Sequence, residues 1–148
     1  MKLFIGCDHG GYQLKNEIIS ALNKEQVDIE DLGIHEQVST DYGPIAKHVA
    51  ELVVEDSDAR GILICGTGIG MSMMANKVRG ARAAVVHDTF SAEATRSHND
   101  ANILCLGERV IGPGLAIKIV ETWLQTPFAG GRHQRRVDYI KNYEGKDE

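Results

Sequence analysis

Residues 62–70 read ILICGTGIG, which sets a thiol, Cys65, between an apolar run and a loop with glycines at 66, 68 and 70. Glycines that follow a strand and open a helix let backbone N–H groups approach an anion, assisted by the positive end of the helix. The same pattern also serves a plain tight turn. Spacing excludes three familiar loop chemistries. A dinucleotide GxGxxG starting at Gly66 needs glycine at position 71, where this chain has Met71, and a P-loop needs a Lys-Ser or Lys-Thr ending that does not occur here. A cysteine phosphatase holds its phosphate with an arginine close behind the thiol, yet the first arginine after Cys65 is Arg79. What remains is an anion cradle with a thiol at its entrance, where the helix end favours the thiolate. Such a thiolate serves as base or as nucleophile.

Other residues could share that chemistry. Gly6 to Gly11 form a second glycine-rich segment after an apolar run, and within it the adjoining Asp8 and His9 suit acid–base work or a structural turn. GGRHQRR at 130–136 is a basic run in a chain of formal net charge −5. Arg132 and Arg136 lie at i, i+4 and share a helix face near a helix start, where the dipole disfavours cations. Either a bound anion offsets that, or the face is solvated. Arg109, in LGERVIG, is a further anion ligand or one half of a salt bridge. His98 stands in SHNDANILCL beside Asn99 and Asp100; spacing alone gives it a surface or packing role, as it does His35, His48, His87 and His133.

The elements that must position these residues alternate along the chain. Strand-like runs fall at LFIGC (3–7), VDIEDL (27–32), GILIC (61–65), RAAVV (82–86) and NILCL (102–106). Leu14, Ile18, Ala21 and Leu22 recur at helical spacing between the first two, as do Ile45, Val49, Leu52 and Val53 before the third. Pro113 opens a helix carrying Leu115, Ile119 and Trp123, and a last helix is predicted from about Arg132 to Tyr143. Apolar strands separated by helices predict an α/β fold: a three-layer α/β/α sandwich around a five-stranded parallel, Rossmann-like sheet. In such a sheet ligands bind beyond the carboxyl ends of the strands, where the segments after Gly6 and Cys65 fall.

Composition narrows the partners. A chain of 148 residues suits one domain over 1–148, burying roughly 68–70% of the surface it exposes when unfolded. The acidic balance offers no general field for nucleic acid or an anionic membrane, so any phosphate needs a local site. No apolar stretch reaches the length of a membrane span, and the first residues do not read as a signal peptide, which predicts a cytoplasmic protein. Cys7, Cys65 and Cys105 form an odd set without a CxxC pair, hence reduced thiols rather than a disulfide framework or zinc knuckle.

Six blocks, in order, resemble one family, the ribose-5-phosphate isomerase type B and galactose-6-phosphate isomerase group of aldose–ketose isomerases. They are GCDHGGYQLK (6–15), TDYG (40–43), ILICGTGIG (62–70), ANK with the following RAAVV, SHNDANILCLGERVIG (97–112) and GGRHQRR (130–136). The resemblance spans nearly the whole chain. It implies that Cys65 is the base that moves a proton between carbons, that His98 assists ring opening and that Thr67 aids proton handling. Asp8, His9, Tyr42 and Asn99 match sugar-contacting positions; Gly66, Gly68, Ile69 and Gly70 match the loop facing the enediolate; Arg109, Arg132 and Arg136 match phosphate-side positions. It further implies an enzyme needing no metal or other cofactor and a small phosphorylated sugar as partner. Ribose 5-phosphate and ribulose 5-phosphate lead, with galactose 6-phosphate, allose 6-phosphate or a shorter sugar phosphate as alternatives. A homodimer or tetramer is implied too, with sites shared between subunits and the last helix at the interface. Some members carry Ser in place of this Cys and take the base from a later carboxylate, but residues 69–72 hold no acid here. Where many relatives read TDYP, this chain has Thr40-Asp41-Tyr42-Gly43-Pro44, which moves the proline by one beside Tyr42. A catalytically silent sugar-phosphate sensor and a thiol-nucleophile hydrolase are the competing functions.

Overall fold

Strand β1 (Lys2–Cys7) opens a computed structural model of the chain, which describes residues 1–22 and 24–145. Helix α1 (Tyr12–Ala21), β2 (Asp28–Asp31), α2 (Tyr42–Glu55), β3 (Arg60–Cys65), α3 (Ile69–Ala75), β4 (Ala83–Val85), α4 (Thr89–Ser97), β5 (Ile103–Gly107), α5 (Pro113–Gln125) and α6 (Arg132–Glu144) follow. The five strands form one parallel sheet in the order β2-β1-β3-β5-β4. That is the predicted architecture, with strand ends within about a residue of those read from apolar runs.

Strand periodicity divides the core in two. Leu3, Ile5, Ile62, Ile64, Leu104 and Leu106 point to one face, where Leu14 and Ile18 of α1 and Ile119 and Trp123 of α5 cover them, with Ala92 of α4 alongside. Phe4, Leu63, Ile103 and Cys105 point to the other, under Ala46, Val49 and Val53 of α2 and Met71 and Ala75 of α3. Each fully buried Leu or Ile contributes about 1.5–3 kcal/mol relative to exposure. The inner strands therefore read as continuous apolar runs. The edges are treated differently. Edge strand β2 is acidic and half-exposed, with Lys2 Nζ bridging Asp28 and Glu30 at 3.2 and 3.1 Å. On edge strand β4 the Asn76 side chain stands in for a missing neighbour, taking the Ala83 N–H at 2.8 Å and donating to its carbonyl at 2.9 Å.

Helix α4 was not legible as a helix: TFSAEATRS is mostly polar and buries only Ala92, Thr95 and Arg96. Its start is fixed locally, by Asp88 accepting from the Ser91 N–H at 2.6 Å. Helix α1 has no side-chain cap of its own. Glu108, beyond β5, accepts from the Leu14 N–H at 2.6 Å and supplies the missing acceptor. Among the described residues no helix is long and apolar enough to cross a membrane.

Candidate active site

The carboxyl ends of β1, β3 and β5 meet over the sheet. Asp8 is nearly buried; its N–H donates to the Ile64 carbonyl at 3.2 Å, and its Oδ1 accepts from the Gly10 N–H at 2.8 Å. Gly11 lies so close to β3 that a Cβ there would stand 2.5 Å from the Ile64 carbonyl oxygen, and one on Gly10 would stand 2.9 Å from the Gly66 nitrogen. The two glycine segments are thus in direct contact. The Glu108 N–H donates to the Cys65 carbonyl at 3.0 Å and the Arg109 N–H to the Gly66 carbonyl at 3.1 Å, which ties the loop after β3 to the one after β5.

Within this loop the Gly68 N–H donates to the Cys65 Sγ at 3.0 Å. An N–H aimed at the sulfur stabilises negative charge there. Gly68 takes φ +78°, a left-handed conformation that turns the chain into α3 and that glycine adopts without a Cβ penalty. The Thr67 Oγ1 accepts from the Ile69 N–H at 3.3 Å, leaving its hydroxyl proton to be donated elsewhere. Two loop N–H groups are therefore used by the loop's own side chains, a division that residue spacing could not reveal. Gly70, in the first turn of α3, has an N–H without an intrahelical acceptor.

The surroundings are polar and open. A Cβ on Gly66 would lie 3.2 Å from the Arg109 Nη1, and one on Gly70 would lie 2.6 Å from the Tyr42 ring, so both side chains rest against the loop. The guanidinium of Arg109 makes no ion pair among the described residues. His9 Nδ1 accepts from the Thr40 N–H at 3.2 Å, so the neutral ring carries its proton on Nε2 and offers a donor. The other two thiols are more deeply buried than Cys65. Burial pushes the Cys7 thiol up to about 11 and the Cys105 thiol still higher, with the neighbouring Cys65 adding to the rise at Cys105.

The remaining site residues sit at the opposite end of the sheet. Cys65 pairs with Gly107 and Gly61 with Ile103, so the amino-terminal end of β5 is four residues, about 13 Å, below Cys65. His98 and Asn99 precede that end. The Ala129 N–H donates to the Ser97 carbonyl at 3.0 Å, which brings the start of α6 beside them, and the His98 and His133 rings stack with centroids 4.3 Å apart. Arg132 and Arg136 are exposed and unpaired among the described residues. Burial lowers the pKa of His133, and the charges of His98, Arg132 and Arg136 lower it further. Among the described residues no hydrogen bond, ion pair or ring contact joins this group to the one around Cys65.

A family model described as Ribose/Galactose Isomerase matches residues 3–140. The chain belongs to the ribose/galactose isomerase family. Ribose-5-phosphate isomerase B of Escherichia coli strain K12 is 46% identical over 143 residues, covering 97% of this chain and 96% of its own. Among solved structures, ribose-5-phosphate isomerase B of Clostridium thermocellum has a TM-score of 0.94 and 51% identity, covering 100% of both chains. That of Mycoplasma genitalium, with bound ribulose-5-phosphate, has a TM-score of 0.94 and 44% identity, covering 98% of this chain and 97% of its own. The protein is thus an aldose–ketose isomerase with the predicted fold.

Two residues of this ribose/galactose isomerase make contacts that its sequence does not announce. His133, assigned to surface or packing, is the stacking partner of His98. His87, given the same role, accepts from the Gly107 N–H at 2.9 Å next to the Cys65 strand end, and burial lowers its pKa. Neither carried a spacing signal, since both contacts depend on the tertiary fold.

Proposed function

We propose that the enzyme interconverts ribose 5-phosphate and ribulose 5-phosphate through an enediolate, with Cys65 as the base and without a metal. The observation that carries this reading is the Cys65 Sγ held by the Gly68 N–H at 3.0 Å, beside an open glycine loop. Isomerisation needs a base for the carbon-bound proton, an acid–base group for the oxygens, and fixed donors for the charge that develops on them. Cys65 takes the proton from C2 of the aldose and returns it to C1. Thr67 handles a proton on the sugar oxygens, and the loop from Gly66 to Gly70 faces the enediolate oxygen, with the Gly70 N–H as a donor. Asp8, His9, Tyr42 and Asn99 contact the sugar hydroxyls, and His98 opens the ring. Arg109, Arg132 and Arg136 hold the phosphate, so that binding far from the reacting carbons aligns them with the sulfur.

In this reading each site is built from two chains of a homodimer, which itself can pair into a tetramer. The separation of about 13 Å along the sheet between the Cys65 level and the start of β5 supports it, because one chain does not bring His98 to Cys65. Helix α6, with Tyr139, Ile140 and Tyr143 exposed, belongs at that interface. The test is proton NMR in deuterated water with a panel of phosphorylated pentoses and hexoses, with and without a chelator. Interconversion of the pentose pair with solvent deuterium entering the reacting carbon, unaffected by chelation, is expected. Faster turnover of a hexose 6-phosphate would refute the substrate, and loss of activity on chelation with recovery on adding a divalent ion would refute the metal-independent step.

A further inference from the structure

We propose that Asp100 is a positioning residue for ring opening, fixing the turn that carries His98 by holding Arg82 and Arg96 together. The inference rests on His98 as the ring-opening group. Past the end of helix α4, two residues beyond its C-cap His98, Asp100 takes φ +50°, in the left-handed region where glycine is usual. Its N–H closes the turn on the Arg96 carbonyl at 3.1 Å, and the Ala101 N–H reaches back to the Thr95 carbonyl at 2.9 Å. A side chain is retained at a position that favours having none.

That side chain is fully engaged. Oδ1 accepts from the Arg96 Nη1 at 2.9 Å and Oδ2 from the Arg82 Nη2 at 3.1 Å, while the Arg82 Nε also donates to the Asp100 carbonyl at 3.0 Å. Arg96 is buried, and its Nη1 also holds the Ala101 carbonyl at 2.8 Å. One carboxylate thus joins the end of α4, the approach to β4 and the approach to β5. Arg60, at the start of β3, adds a third cation nearby: its pKa is lowered by burial and then by Arg96, with Asp100 opposing. Without the carboxylate, the guanidiniums of Arg82 and Arg96 repel across the turn, and the backbone two residues after His98 is released. His98 itself is exposed, so its direction depends on that backbone and on the His133 stack.

The chemistry of the two substrates separates positioning from general damage. Ribose 5-phosphate closes a furanose ring that must open, whereas ribulose 5-phosphate, with its C5 oxygen esterified, stays open-chain. Solvent deuterium exchange at C1 of ribulose 5-phosphate therefore needs the base but no ring opening. The experiment compares that exchange with turnover of ribose 5-phosphate in Asp100→Asn, which keeps the shape and tolerates the left-handed backbone, and in His98→Ala. Turnover of the aldose is expected to fall about 10²-fold in Asp100→Asn, the usual cost of a misplaced group, with C1 exchange near the wild-type rate. His98→Ala is expected to show the same split. Wild-type values of both readouts in Asp100→Asn, or an equal fall in both, overturns the inference. Absence of the split in His98→Ala overturns instead the ring-opening role on which it rests. Should Asp100→Asn fail to fold, Asp100→Gly, which takes the left-handed turn freely but lacks the clamp, decides by the same two readouts.

Discussion

Of three thiols in one chain, Cys65 alone is expected to carry the chemistry, and the difference follows from what surrounds each sulfur. Cys7 and Cys105 are fully buried, while Cys65 retains 6% exposure at the end of its strand. A thiol raised to about 11, as at Cys7, is thiolate in only about one part in 10³ at pH 8, and Cys105 is shifted further in the same direction. Neither can serve as a base near neutrality. Cys65→Ala is expected to lower turnover by roughly 10²–10⁴, about 3–5 kcal/mol of barrier, with KM nearly unchanged. Cys7→Ala and Cys105→Ala each remove a buried sulfur and should instead cost about 1 kcal/mol of stability through the void left behind. The assay is timed alkylation by iodoacetamide, read by peptide mass spectrometry alongside residual activity. Labelling of Cys65 should track inactivation and be slowed by ribose 5-phosphate. Inactivation that tracks labelling of Cys7 or Cys105, or equal loss of turnover in all three variants, would refute the reasoning.

Arg132→Ala and Arg136→Ala are each expected to raise KM for the phosphorylated sugar and to erase most of its advantage over the unphosphorylated sugar, measured by steady-state kinetics on both; an unchanged preference would remove these arginines from phosphate binding. Acid should destabilise the fold through His87, whose pKa is lowered by burial in the native state. Above about pH 6.5 the ring is neutral in both folded and unfolded chains and its bond to the Gly107 N–H is intact. As pH falls below that value the unfolded chain takes up the proton first, so stability is lost toward the lower folded value. Urea midpoints between pH 7.5 and 5.5 should therefore fall in the wild type and fall less in His87→Gln, which keeps an acceptor.

The sheet was legible because its inner strands are buried on both faces and spell apolar runs, so GILIC and NILCL marked themselves. Helix α4 was not, because its residues are mostly polar and its cap at Asp88 looks like any loop aspartate. At the site, the position of Cys65 and the glycines pointed to an anion cradle or a plain tight turn. That of His98 did not, since a histidine before a strand lies at the amino-terminal end of the sheet, away from where open α/β sheets bind ligands. Its expected role came from the resemblance, and its stack on His133 required the fold. The clamp at Asp100 joins residues from three separate segments, a convergence that no local pattern encodes.

The most direct measurement asks whether Cys65 and His98 act in one site from two chains. Cys65→Ala and His98→Ala proteins, each expected to turn over ribose 5-phosphate poorly alone, are unfolded and refolded together in equal amounts, with subunit exchange followed by native mass spectrometry and activity read on ribose 5-phosphate. Half of the re-formed dimers should be mixed, and a two-fold axis gathers both lesions into one site of each, leaving the other intact. Activity is then expected to recover to about a quarter of wild type. Complete exchange with no recovered activity would contradict a site shared between chains.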